Sequence, residues 1–143
     1  HEVSLFDALS EWMSHPMYYT MYTGVPPART GTSHASIAPY GTFTTGGSPL
    51  QLAIQNQREW RRFCETVLER PTLAGDERFA TNELRVANAA ALQVEIETVF
   101  HELGEATTRA RLVAADIATA TVNDVAGVPV GRRWTRPAVP SVP

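Results

Sequence analysis

The sequence has a single cysteine, Cys64, and no lysine among its 12 basic residues. One thiol cannot form an internal disulfide. With no other cysteine or histidine near it in the sequence, Cys64 predicts neither a zinc site nor a redox pair. A reducing compartment fits this cysteine usage best. The absence of lysine excludes Schiff-base chemistry and lysine nucleophiles from these 143 residues.

Long apolar runs and a basic charge balance are also lacking. No run approaches the roughly 18 apolar residues that span a bilayer, and there is no basic start followed by an apolar stretch and a small-residue cleavage site. The 15 acidic and 12 basic residues give a net charge of −3 and a pI near 5.8, so the basic field of a non-specific nucleic-acid binder is absent. We therefore expect a cytoplasmic protein with neither a nucleic-acid nor a membrane partner.

Both ends of the chain have patterns that are unusual for the ends of a finished domain. Apolar residues from Leu5 to Met13 form a helical stripe that Ser4 is placed to cap, so we expect something upstream to cover this face. Residues 18–39 are dense in proline and glycine and predict a long connection across a surface. The proline-rich residues 129–143 predict a linker or an extended arm.

The middle of the chain predicts a small α+β unit. Residues 40–45 and 50–54 alternate in polarity around a Gly-Gly-Ser-Pro turn, which predicts a β-hairpin. A helical stripe from Trp60 to Leu68, a second helix from about Asn88 that ends at Gly104, and a third over about 107–115 follow. Residues 117–122 return to strand character, and Asn123 and Asp124 can cap a last short helix.

Gly31, Thr32, Ser33 and His34 form a loop that is rich in glycine and hydroxyl groups. In such a loop, exposed backbone N–H groups and the hydroxyls of Thr32 and Ser33 can bind a carboxylate or stabilise an oxyanion. Loops of this composition are common, so the residues alone favour an ordinary turn over a binding site.

The other reactive residue types give weaker signals. His15 and His101 lack the i, i+4 spacing of a metal-binding pair, so we predict no metal site. Asp76, Glu77 and Arg78 form a charge cluster that could supply a catalytic acid and base, but such a cluster is more typical of a solvated turn. Cys64 falls in an apolar stripe, which favours burial over reactivity. Phosphate-binding loops, serine nucleophile elbows and HExxH motifs are absent from the sequence.

Several ordinary motifs follow one another in an order that is more specific than any one of them. They are, in chain order, Val3-Ser-Leu-Phe-Asp-Ala8, Tyr22-Thr-Gly24, Pro27-Ala-Arg-Thr-Gly31-Thr-Ser-His34, Ile37-Ala-Pro-Tyr-Gly-Thr-Phe43, Gln57-Arg-Glu-Trp60, Asp76-Glu-Arg-Phe-Ala-Thr-Asn82, Arg85-Val-Ala-Asn88 and Thr121-Val-Asn-Asp-Val125. Over about residues 2–128 this series resembles the class III (CaiB/BaiF) CoA-transferase family.

The resemblance implies a fold in which a Rossmann-like large domain and a smaller α+β domain are joined by two long linkers, and two subunits interlock as a homodimer. This chain resembles the small domain, with a short antiparallel sheet and three or more helices, and its linkers. Residues 1–17 correspond to the end of a large-domain helix, 18–39 to a linker, 40–128 to the small domain and 129–143 to the return linker or tail.

The resemblance also implies an activity, the movement of CoA between carboxylic acids through an aspartate nucleophile. That aspartate belongs to the large domain and lies outside this chain; Asp7 is not it, so no catalytic residue is assigned here and the isolated fragment is expected to be inactive. Gly31, Thr32, Ser33 and His34 would face the acyl group as substrate-binding residues. CoA thioesters and carboxylic acids are substrates, and no prosthetic group is expected.

Two alternatives stay open at this stage: an acyl-CoA racemase or isomerase of the same fold, and a non-catalytic dimerisation module. The identities of the acyl donor and acceptor are also open. The sequence departs from the family pattern where Val130 is followed directly by Gly131, because a His-Pro-Gln-Leu-like segment is usual there. Whether residues are missing at this junction and before His1 stays open.

Overall fold

The structure, a computed structural model, describes residues 3–122. A three-stranded antiparallel sheet packs against helices, which confirms the predicted α+β class. The strands are β1 (Tyr40–Phe43), β2 (Leu50–Ala53) and β3 (Ala118–Thr121). The helices are α1 (Leu5–Ser10), α2 (Ser14–Thr23), α3 (Gln57–Arg62), α4 (Asn82–Ala87) and α5 (Ala89–Ala114). One π turn, Phe63–Val67, continues α3, and 3₁₀ turns cover Glu11–Met13 and Pro71–Gly75.

The sheet has the order β1-β2-β3, with Tyr40 paired to Ala53 and Ala53 to Ala118. The first two strands form the predicted hairpin, and its turn is attached to α5. The backbone N–H of Thr44 donates to Glu97 Oε1 (3.0 Å), and that of Ser48 donates to Glu105 Oε2 (3.0 Å). These bonds hold the sheet against the longest helix of the domain.

The hydrophobic core lies between the sheet, α3 with its π turn, and α5. Phe100 of α5 meets Phe43 and Phe63 edge to face, with ring centroids 6.3 and 6.2 Å away. The stripe predicted from Trp60 to Leu68 is buried, and Asn56 caps α3 by accepting from the N–H of Glu59. Periodicity therefore identified this helix and its buried face correctly.

Gly104 divides α5 into two helical segments, as the predicted helix end at this residue implies. Its φ of +73° and ψ of 167° interrupt the helix between Ala89 and Ala114. That region of backbone space is open essentially to glycine alone, because a Cβ would collide with the neighbouring peptide. The break lets the second segment change direction and lead into β3.

The N-terminal helices differ in part from the prediction. Ser4 caps α1 as expected, by accepting from the N–H of Asp7 (3.3 Å), and the apolar stripe is exposed. However, α2 runs to Thr23, so the prediction of an irregular segment from Tyr18 was wrong over residues 18–23. Gly24, with φ +74°, donates its N–H to Thr20 O (2.8 Å) and ends the helix, and this was the overlooked signal.

Some predictions lie outside the described residues or remain untested. The short helix that Asn123 and Asp124 would cap and the tail 129–143 are outside residues 3–122. The division into domain and linker ranges remains a prediction, as do the homodimer and the Rossmann-like large domain. Within residues 3–122, every helix is too short or too polar to cross a membrane.

Gly104 and Gly75 form a matched pair that tests the backbone argument. A Cβ would meet nothing within 4 Å at either position, but only Gly104 has a positive φ. Gly104→Ala should therefore lower the free energy of unfolding by about 1–3 kcal/mol. Gly75→Ala should raise it or leave it unchanged, because alanine restricts the unfolded chain. Urea unfolding of both variants measures the difference, and equal effects would contradict the argument.

Candidate functional site

The loop Gly31–His34 lies on the free edge of β1. His34 donates its backbone N–H to Tyr40 O (3.1 Å), and the N–H of Thr42 donates to Thr32 Oγ1 (3.3 Å). Gln51 of the neighbouring strand donates its Nε2 to Thr32 O (3.3 Å). The loop thus satisfies backbone groups of a strand edge that no other described strand pairs.

Gly41 allows the loop to approach β1 closely. A Cβ at this position would lie 3.0 Å from Ser33 Oγ and 3.3 Å from Ser33 Cα. Any larger residue would force the loop away from the strand. Gly31 has a different role, because its φ of +62° forms the turn itself.

The imidazole of His34 has a defined orientation. Its ring stacks on Tyr40 with centroids 5.2 Å apart, and the backbone N–H of Ser36 donates to Nδ1 (3.1 Å). Since Nδ1 accepts this bond, the proton of the neutral ring lies on Nε2. Within residues 3–122, Nε2 has no hydrogen-bond partner, and the side chain is exposed. His34 can therefore donate a hydrogen bond to a bound group.

A cavity of about 320 Å³ lies between this loop, β1 and the start of α5. Four of its lining residues are polar: Thr30, Ser33, His34 and Gln93. Its other walls are apolar or aromatic and comprise Ala35, Ile37, Ala38, Pro39, Tyr40, Phe43, Val86, Ala89 and Leu92. Among the described residues that line the cavity, none carries a formal charge. An uncharged organic group with one or two polar atoms suits these walls.

The structure brings together half of the predicted binding residues at this cavity. Ser33 and His34 line it, whereas Gly31 shapes the turn and Thr32 binds β1. Sequence reasoning missed Tyr40 and the walls from α4 and α5. Nothing in the sequence near Val86 or Leu92 indicates a binding site, because apolar residues on a helix are typical of the core. Only the position of the loop in the structure shows that they line a cavity.

The remaining candidates lie away from this cavity, and those that the structure describes make surface contacts. Asp76 binds Arg78 (2.8 Å), which lowers the pKa of Asp76, and Arg78 also reaches Glu95 (3.4 Å), so the cluster is a surface ion-pair network. His101 Nε2 lies 3.2 Å from Thr44 Oγ1, and His15 is exposed. Across the described part of the chain, no three His, Cys, Asp or Glu side chains cluster as metal ligands would.

With the fold and cavity defined, comparison with known proteins identifies the class. Residues 2–136 match the sequence profile of CoA-transferase family III. The chain belongs to this family.

Similar proteins that are named as CoA-transferases support the same family assignment. The chain is 34% identical over 97 residues to a succinate–glutarate CoA-transferase of Agrobacterium fabrum, covering 68% of this chain and 24% of that protein. It is 33% identical over 96 residues to an acetyl-CoA:oxalate CoA-transferase of Acetobacter aceti, covering 67% and 24%. The chain therefore spans about a quarter of the length of these curated relatives.

Solved structures share the fold. A CaiB/BaiF family protein from Brucella suis superposes with a TM-score of 0.69 at 33% identity, over 86% of this chain and 32% of that one. A hypothetical protein from Mycobacterium tuberculosis gives a TM-score of 0.69 at 18% identity, over 87% and 31%, and shows the fold alone.

The contact between Gly41 and Ser33 can be tested by adding one methyl group. Gly41→Ala should lower the free energy of unfolding by about 1–3 kcal/mol, because the new Cβ crowds the loop. The double variant Ser33→Gly/Gly41→Ala removes the Ser33 side chain and should recover part of this loss. Urea unfolding measures both variants and Ser33→Gly alone; if Gly41→Ala costs as much in the Ser33→Gly background as in the wild type, the contact is refuted.

Cys64 should be inert in the native protein. It is fully buried, and burial raises the pKa of its thiol from 9.0 to about 12. The thiolate fraction at pH 8 is then about one in ten thousand. We expect native protein to resist iodoacetamide at pH 8 and protein unfolded in guanidinium to react fully, as followed by intact mass. Rapid alkylation of the native form would contradict the burial.

Proposed function

We propose that the protein is a CoA-transferase that moves CoA from an acyl-CoA thioester to a free carboxylic acid, with this chain as its small domain and linkers. Family membership and the names of the relatives support CoA transfer between acids at the level of the family. The proposal includes a homodimer of interlocked subunits, a cytoplasmic location and no bound prosthetic group.

The cavity beside His34 is the observation that carries the proposal. Its uncharged walls suit the acyl group or the thioester end of an acyl-CoA better than a free carboxylate. Two of its polar lining residues, His34 through its Nε2–H and Ser33 through its hydroxyl, can donate to a carbonyl oxygen that gains negative charge during acyl transfer. Gly31, Thr32, Ser33 and His34 are therefore proposed as substrate-binding residues.

The proposed route uses an aspartate that lies outside this chain. Its carboxylate attacks the thioester carbonyl, the C–S bond breaks, and CoA leaves as the thiolate while a mixed anhydride forms. The thiolate then attacks the aspartyl carbonyl and releases the donor acid, leaving an aspartyl-CoA thioester. The acceptor carboxylate reverses these two steps and leaves with CoA. No oxidation, reduction or water is required.

The exposed apolar surface of residues 3–25 supports the part of the proposal in which this chain packs against more protein, either its own large domain or a second subunit. Phe6, Trp12 and Tyr22 are 79%, 84% and 87% exposed, and α1 and α2 have no buried residue. An apolar surface of this kind marks a contact with another protein segment. A non-catalytic interaction module would show the same face, so an assay must separate the two functions.

The proposal is tested on the intact protein, after its mass has been measured. It is incubated with succinyl-CoA and glutarate, and separately with acetyl-CoA and oxalate, and the new CoA ester is followed by chromatography and mass spectrometry. We expect transfer in at least one pair and a covalent CoA adduct on a peptide outside these 143 residues. A sample that contains only these 143 residues should show neither CoA transfer nor a covalent CoA adduct.

Other results point elsewhere. Exchange of the α-proton of a branched acyl-CoA in deuterated water, without transfer, would favour a racemase. Neither reaction, together with no thermal stabilisation by free CoA or acyl-CoA, would favour the interaction module, because a ligand that binds the native state must raise its stability. A covalent adduct on His34 or Cys64 would contradict the proposed nucleophile.

A further inference from the structure

Two side chains of α4 hold the segment that joins the site loop to β1. We propose that Asn82 and Arg85 are positioning residues, which fix residues 36–38 so that His34 and the cavity wall take up their binding geometry. This inference rests on the proposed function for its effect on activity, but its effect on loop order stands on geometry alone.

The amide of Asn82 pairs with the backbone of residues 36–38 on both sides. Its Nδ2 donates to Ser36 O (2.8 Å), and its Oδ1 accepts from the backbone N–H of Ala38 (3.2 Å). This is the donor and acceptor pattern that a neighbouring strand would offer, provided here by one side chain. An amide is required, because no other small side chain has both a donor and an acceptor in this arrangement.

Arg85 also binds residues 36–38, from a buried position on α4. The side chain is 2% exposed, and its Nε donates to Ala38 O (2.7 Å). Nη1 donates to Gln57 Oε1 (3.1 Å) and to Phe79 O (3.1 Å), and the guanidinium lies 4.9 Å from the centre of the Trp60 ring. Arg85 forms no ion pair among the described residues, and burial lowers its pKa.

The held segment continues directly into the site. Ser36, whose carbonyl binds Asn82, donates its N–H to His34 Nδ1 (3.1 Å) and so sets the orientation of the imidazole. Ile37, Ala38 and Pro39 line the cavity. A displacement of residues 36–38 therefore changes both the direction of the His34 donor and the shape of the wall opposite α5.

Asn82→Ala and Asn88→Ala provide a matched comparison in the intact protein. Asn88 also lies at an end of α4 and is half-buried like Asn82, but its Nδ2 donates to Arg78 O (3.1 Å) and Leu84 O (2.9 Å), away from the loop. Amide hydrogen exchange, read by mass spectrometry over residues 30–43, reports loop order without any assay of activity.

We expect Asn82→Ala to speed exchange of the His34 amide about tenfold or more, although Asn82 does not touch it, while Asn88→Ala leaves it unchanged. In the transfer assay, kcat/KM should fall about 10- to 100-fold for Asn82→Ala and less than about threefold for Asn88→Ala. A merely structural role predicts similar losses in both variants and no change at His34. That result would overturn the proposal.

Asn82→Asp guards against simple unfolding, and Arg85→Lys tests the second positioning residue. Asn82→Asp keeps the volume and the acceptor for Ala38 but cannot donate to Ser36 O, so it should show the same faster exchange at His34. Arg85→Lys keeps the charge but not the planar fork that reaches three acceptors, and should behave likewise. If wild-type protein shows no transfer, the proposed function fails, while the exchange rates still decide whether Asn82 and Arg85 order the loop.

Discussion

A buried guanidinium ties together segments that lie far apart in the sequence. Arg85 binds Ala38 just before β1, Phe79 in the turn before α4, and Gln57 at the start of α3. A buried cation without a partner costs several kcal/mol, whereas each charge-assisted hydrogen bond contributes about 1.5–3 kcal/mol. The three bonds and the face of Trp60 offset that cost only when every segment is in place. The domain and the site loop are therefore ordered together.

The same constraint explains why the cavity lies where it does. Arg85 and Asn82 of α4 bind residues 36–38. Val86 of α4 and Leu92 of α5 line the cavity together with this segment. On the other side, Gly41 leaves space for Ser33 against β1. The loop is thus held between a strand and a helix, which gives His34 a fixed donor direction in spite of its exposure.

Local patterns predicted most of the fold, because caps and periodic stripes act over a few residues. Such patterns predicted three features: the helix cap at Asn56, the buried stripe that begins at Trp60, and the helix break at Gly104. The end of α2 was missed because residues 18–23, which contain neither proline nor glycine, were grouped with the proline- and glycine-rich residues 24–39. Arg85 could not be placed, since its partners Gln57 and Ala38 lie 28 and 47 residues away and an arginine is ordinarily exposed.

The cavity and the absence of charge in its walls suggest how the work is divided in the proposed enzyme. The Nε2–H of His34 is exposed among the described residues, so it would stabilise a developing oxyanion strongly only when a bound acyl group or another part of the protein excludes water from it. A positively charged residue in these walls would bind a carboxylate before the reaction as well as the oxyanion in the transition state. It would therefore lower the activation barrier less than a donor that strengthens only as the oxyanion forms. Within the proposed route, the attacking carboxylate comes from outside this chain, so these residues would contribute hydrogen-bond donors and apolar walls rather than the nucleophile.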